Sequence, residues 1–217
     1  VRECEWRFEN EWPLARTQYQ EFYLTANDAG VVDNAIHDLM LSDEAPAATT
    51  ELSYESGPEA YSRGLRGQPT VTFVSEPLDE AVEVTGHINL LLWVSSETND
   101  MDLFAYLRNM APDGTVETAT RGILKVSHRR LDPELSTFYR PVYLHEREEK
   151  LIPGEIVPIE VEIWATSMVF EPGHRIRLDI DAHDGSHYFS AYNLEQNSIY
   201  VGGQYPSRVI LPIIPSE

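Results

Sequence analysis

"HRIRLDI", residues 174–180, alternates without a break: Ile176, Leu178 and Ile180 point one way, Arg175, Arg177 and Asp179 the other. Successive side chains of a β-strand leave opposite faces, so this period of two marks a strand with one apolar side. The stretch runs on into "DAHDGSHYF" (Asp181–Phe189), which crowds Asp181, His183, Asp184 and His187 together. Such a cluster could bind a metal, supply an acid and a base, or be the polar end of a strand. A calcium loop fails on register: counted from Asp179, Gly185 arrives one place late for an EF-hand, and a strand precedes it. An Asp184–His187 acid–base pair has no nucleophile and no orienting third group beside it. The simplest reading puts Asp179 and Asp181 on the solvent face of a strand ending near Ala182, with "HDGSH" as the turn.

The same device recurs outward from this stretch. "IVPIEVEIW" (Ile156–Trp164) sets Ile159, Val161 and Ile163 against Glu160 and Glu162. "AVEVTGHINLLLWVSS" (Ala81–Ser96) alternates first and then turns apolar on both faces from Leu90 to Val94, as a central or covered strand does. Further strands are expected at Cys4–Phe8, Thr70–Ser75, Leu103–Met110, Gly122–His128, Ile199–Val201 and Arg208–Ile213. "PDG" (Pro112–Gly114), "PG" (Pro153–Gly154) and "EPG" (Glu171–Gly173) punctuate them with turn chemistry. "VVDNAIHDLML" (Val31–Leu41) is the one helix-like spacing. Many strands, short turns and almost no helix predict an all-β chain, a jelly-roll β-sandwich.

Composition excludes several functions. With 36 Asp and Glu against 16 Lys and Arg, the net charge is −20, opposite to what nucleic-acid phosphates need. A saline setting and an ordinary acidic protein both fit that balance. Lys125 and Lys150 are the only lysines. No apolar run approaches the roughly 20 residues of a membrane span, and the charged "VRECEWRFENEW" start lacks a signal-peptide core. Cys4 is the only cysteine, so neither an intrachain disulfide nor a cysteine-built zinc site is available, and the compartment stays open. No serine lies in GxSxG, and HExxH, a Walker loop and GxGxxG are absent. Neither catalytic residues nor a cofactor or metal site can therefore be assigned within the chain.

The aromatic entry segment (residues 1–25) carries Trp6, Phe8, Trp12, Tyr19, Phe22 and Tyr23. These rings could stack on a sugar, as in a free-standing carbohydrate-binding module, but more commonly pack an entry strand or meet a neighbouring domain. "NDMD" (Asn99–Asp102) could hold calcium, though Asp in such a turn more commonly caps backbone N–H groups. "HEREEK" (His145–Lys150) reads as a solvated turn with local charge pairing.

Five stretches in this order carry a resemblance: "CEWRFENEWPLARTQYQEFYL" (4–24), "EVTGHINLLLWVSSETNDMDLFAYL" (83–107), "APDGTVETATRGILKVSHR" (111–129), "LIPGEIVPIEVEIWATSMVFEPGHRIRLDI" (151–180) and "YPSRVILPIIP" (205–215). Together they resemble the C-terminal domain of the X-prolyl dipeptidyl-peptidase and cocaine-esterase-like serine hydrolases, and the run from "PGE" to "GHRIR" is the most specific part. The resemblance implies a galactose-binding-like jelly roll, here one domain over residues 1–217, that packs on an α/β-hydrolase domain bearing Ser, Asp and His. None of those catalytic residues maps onto this sequence. It also implies that Asp184, His187 and Tyr188, in the loop after the "RLDID" strand, border that hydrolase domain or the edge of its pocket; Trp6 and Trp12, from the aromatic segment, are candidates for the same boundary. In isolation such a chain is expected to expose an aromatic patch, and a homodimer could hide it.

Overall fold

The computed structural model describes residues 6–26, 30–32, 35–56, 70–183 and 195–215. Twelve strands follow in chain order: β1 (Gln18–Thr25), β2 (Gly30–Val32), β3 (Ala35–Ser42), β4 (Thr50–Ser56), β5 (Val71–Val74), β6 (Val82–Ser96), β7 (Asp102–Met110), β8 (Val116–Lys125), β9 (Val157–Phe170), β10 (Arg175–Asp181), β11 (Glu195–Val201) and β12 (Arg208–Ile214). One 3-10 turn, Val126–His128, is the only helical element among the described residues. The architecture is the all-β sandwich that the alternating stretches predict.

Hydrogen-bonded neighbours run β12–β1–β3–β5–β10–β7–β8–β9–β6–β11–β4, and β12 also pairs with β6. That last pairing closes the ladder around the core and leaves β11 and β4 as an extension from the end of β6. In the closed ring β5, β10 and β7 stand on one side and β9, β6 and β12 on the other. Ile176, Leu178 and Ile180 of β10 point inward from the first side and are fully buried, as are Val84, Ile88 and Leu90 of β6 from the second. Each such side chain contributes about 1.5–3 kcal/mol by leaving water. On the other face of β6, Leu91 and Trp93 are half-buried, and the Trp93 ring lies 5.3 Å from Tyr205. The doubly apolar Leu90–Val94 run is thus a central strand with an aromatic cover.

β8 joins the two sides through one ladder pair, Gly122 with Ile163 of β9, flanked by side-chain bonds from Thr120 to Trp164 O and from Thr166 to Ala119 O. A Cβ on Gly122 would overlap the carbonyl oxygen of Glu162. Only glycine lets the two backbones approach this closely.

Three expectations are corrected. The helix-like Val31–Leu41 forms β2 and β3 instead. Against β5, Ile36 pairs with Val71 and Leu39 with Phe73, so three steps on β3 oppose two on β5. This bulge turns Ile36, Leu39 and Leu41 all toward the core, and bulge spacing imitates helical spacing. The strand expected at Cys4–Phe8 is absent over its described part: residues 6–9 have no regular structure, and Trp6 and Phe8 are 95% and 97% exposed. Side-chain pairs hold this segment, not a ladder. Gly122–His128 is strand only as far as Lys125, where Val126 N–H turns back to Met101 O. β1 and β4 are strands that the sequence reading did not separate out.

Candidate functional site

Three features gather the polar and aromatic side chains that the fold leaves over. The first is the strap of residues 6–17, laid across the outward side of β6 and β9. Arg7 donates through Nη1 and Nη2 to both carboxylate oxygens of Glu83 at 3.0 and 2.6 Å. Arg7 Nε also pairs with Glu9 at 2.7 Å, and Arg16 grips the same Glu9. Trp12 Nε1 donates to His87 Nε2 at 3.2 Å, with the rings edge to face at 5.7 Å. Burial, and next the nearby Arg140, hold the His87 pKa below its ordinary value, as suits a neutral imidazole accepting that bond. Leu14 is buried, whereas Trp12 is 52% exposed. A cleft of about 540 Å³ opens between the strap and the sheet, lined by Trp6, Trp12, Leu14, Thr85 and Ser167.

The second feature is the outward side of β5, β10 and β7. The expectation that Asp179 and Asp181 face solvent is overturned, since they are only 1% and 7% exposed. The alternation of β10 does send them away from the core, but neighbouring strands bring counter-groups that take the place of water. Asp179 pairs with Arg108 Nε of β7 at 2.7 Å and with Arg177 Nε at 2.7 Å, and accepts Thr72 Oγ1 of β5 at 3.0 Å. Arg108 also lies over the Tyr106 ring, 4.8 Å from its centroid. Asp181 accepts the Thr70 backbone N–H at 2.6 Å. Burial first, and the neighbouring Asp179 carboxylate with it, push the Asp181 pKa up to about 7 against the opposing Thr70 bond and Arg108.

The third feature is "NDMD". Asp100, 1% exposed, accepts Met101 N–H and Ser127 N–H on Oδ1 at 3.0 and 2.9 Å. Its Oδ2 meets Lys150 Nζ at 2.9 Å and Lys125 Nζ at 3.2 Å. Burial raises the Asp100 pKa, but the Lys150, Ser127 and Lys125 bonds outweigh it and leave the carboxylate below its usual range. The capping use of this aspartate is therefore realised on one oxygen, and both lysines of the chain meet the other. "HEREEK" is accordingly more than a solvated turn. Lys150 pairs locally with Glu148 at 2.8 Å but also reaches Asp100, fifty residues away.

Among the residues singled out from sequence, Trp6 and Trp12 share the cleft of the strap, whereas Asp184, His187 and Tyr188 lie outside the described residues. Sequence reasoning missed Arg108, Thr72 and His87 as partners. Nothing local to those positions signals a contact made between distant strands.

Side-chain networks on a jelly-roll sandwich, rather than an assembled nucleophile, thus make up the three features described. The chain belongs to the X-Pro dipeptidyl-peptidase C-terminal non-catalytic domain family, whose model matches residues 2–210. It is 31% identical over 242 residues to the cocaine esterase of a Rhodococcus species, covering 97% of this chain and 40% of that protein. A Mycobacterium bovis protein provisionally named a serine esterase is 31% identical over 229 residues, covering 98% of this chain and 36% of its own length. Among solved structures, a CocE/NonD family hydrolase from Staphylococcus aureus superposes with a TM-score of 0.79 at 26% identity, over 97% of this chain and 39% of that one. The chain therefore spans well under half the length of the relatives it matches.

Proposed function

We propose that this chain is the accessory domain of a larger serine hydrolase acting on esters or X-Pro amides, and that residues 1–217 work within it as one unit. The observation that carries this reading is the match along nearly the whole chain to a non-catalytic domain family, in relatives more than twice as long. The partner is an α/β-hydrolase domain bearing the Ser, Asp and His. The role of this domain is to pack against that partner and to hold its site in a fixed geometry, which accelerates a reaction without contributing a reacting group. On this reading Trp6 and Trp12, and Asp184, His187 and Tyr188 in the segment after β10, belong to the boundary with that domain.

The test compares the 217-residue chain with the longer polypeptide read from the coding sequence upstream of Val1. Both are assayed on p-nitrophenyl esters and X-Pro-nitroanilides. The longer protein is expected to turn over one of these classes and the chain alone neither. Turnover by the chain alone that disappears in Asp184→Ala or His187→Ala defeats the accessory reading.

A further inference from the structure

We infer that the face carrying the strap is the surface on which the hydrolase domain sits, an inference that rests on the function proposed above. On a chain of net charge −20, this face is an apolar island. Trp6, Phe8 and Trp12 stand on the strap, and Ile123, Trp164 and Val169 project from the outward sides of β8 and β9, all 40% exposed or more. The loop 131–144 crosses the same side: Asn89 Nδ2 of β6 donates to Phe138 O at 3.0 Å, and Tyr143 Oη donates to Glu160 O at 2.8 Å. It adds Leu135 and Phe138, each 63% exposed. Among the described residues, Ile152 is the one other large apolar side chain with comparable exposure. It sits apart, beside the turn where Gly154 N–H bonds Ser96 O at the end of β6.

Three carboxylates on this face, Glu9, Glu83 and Glu162, are paired with arginines from within. Glu83 and Glu9 are held by Arg7 and Arg16, Glu160 accepts Asn89 Nδ2 at 2.6 Å, and Glu162 faces Arg140 at 3.6 Å. The Arg121 guanidinium lies 5.9 Å from the centre of the Trp164 ring. Covering the three paired carboxylates strands no lone charge, which favours a surface that is dry when occupied. So many large exposed apolar side chains on one face are unusual on a protein that meets only water. The occupant is the preceding domain, because the matched family is C-terminal and three fifths of the length of its relatives lies outside the match. Among the described residues, Trp6 and Phe8 are the most exposed large apolar side chains. Interdomain contacts bury roughly 600–1,500 Å², and the partner is expected to meet this face with uncharged aliphatic and aromatic side chains.

Amide hydrogen exchange on the chain alone and on the longer polypeptide tests this. Residues 6–17 and the paired stretches of β8 and β9 should exchange about tenfold more slowly in the longer protein, while β5 and β10 stay unchanged. Trp164→Glu and Ile123→Glu, at exposed positions, should each abolish that slowing and let a protease separate the domains. Ile152→Glu should do neither. Slowing confined to the β5–β10–β7 side, or an Ile152→Glu variant that behaves like Trp164→Glu, overturns the surface and leaves the proposed function standing. Self-association of the longer protein through the strap face overturns it too, by making a second copy the occupant. A longer polypeptide with no hydrolase domain defeats the function itself, and the surface with it.

Discussion

The strap face and the β5–β10–β7 face start from the same strand grammar, with charged residues alternating outward, and end with opposite characters. On the strap face Arg7 keeps 45% of its side chain exposed while holding Glu83, and the apolar side chains around the pair stand in water. On the other face Asp179 keeps 1%, enclosed by two guanidinium groups and Thr72. Strand alternation decides which side a residue leaves from. Burial of that side depends on what distant strands deliver there.

The contrast has energetic consequences, and the largest test removes a buried partner. Arg108→Met should destabilise the fold by about 3–5 kcal/mol, because Asp179 remains buried with part of its compensation gone. Arg7→Ala, breaking the exposed pair, should cost less than about 1 kcal/mol. Urea denaturation of both variants measures the difference, and equal losses would remove the distinction between the faces.

Gly122→Ala probes the seam between the two sides. The added methyl meets the Glu162 carbonyl, and overpacking of this sort costs about 1–3 kcal/mol. Circular dichroism melts should show the whole sandwich losing stability, not β8 alone. A silent Gly122→Ala would mean that β8 and β9 separate freely.

The pH dependence follows from Asp181. Its folded pKa, near 7, lies above the ordinary 3.8, so the folded state binds the proton more tightly than the unfolded chain does. Stability from this group is complete below about pH 4, declines as pH rises toward 7, and is flat above. Each unit of the difference is worth about 1.4 kcal/mol. Asp181→Asn should flatten the pH 4–7 slope of the denaturation midpoint. Asp100 acts with the opposite sign: its folded pKa is depressed, so its contribution holds at neutral pH and is lost in acid. An unchanged slope in Asp181→Asn would show that this carboxyl is solvated.

The smallest expected effect is that of salt. The screening length falls from about 10 Å at 0.1 M to about 3 Å at 1 M, so NaCl should relieve the repulsion of the excess carboxylates and raise the Tm. The carboxylates paired within the two faces limit the gain to a few degrees, of the order expected from about 1 kcal/mol. A Tm that is flat or falling over this range would mean that the remaining charges are already well dispersed.

How far the sequence could be read depended on the range of the forces involved. Ile176, Leu178 and Ile180 announced their strand and its inward side because alternation is a property of neighbours. Ile36, Leu39 and Leu41 misled, since a bulge breaks the period of two and the bulge exists only against β5. The burial of Asp179 was out of reach for the same reason. Thr72 and Arg108 lie 107 and 71 positions away in sequence, and no local pattern brings them together. At the candidate boundary the aromatic richness of residues 6–12 was visible, but not its attachment: Glu83 and His87 hold that segment from a strand 76 and 75 residues beyond Arg7 and Trp12.

The meeting of both lysines on Asp100 has a consequence for protein chemistry. Lys125 and Lys150 are the only side-chain amines of the sequence, so every amine-directed cross-linker, dye or surface coupling reagent that reacts at a side chain must react there. Hydrogen bonds to Glu148 and then Asp100 raise the Lys150 pKa, and Asp102 and Asp100 raise that of Lys125 against the effect of burial. The nucleophilic free amine is correspondingly scarce at neutral pH, and acylation should be slow while the clasp is closed. Once either lysine is acylated, Asp100 loses a counter-charge. The label therefore loosens the place it marks, and the labelling rate reports how firmly Asp100 holds the two amines.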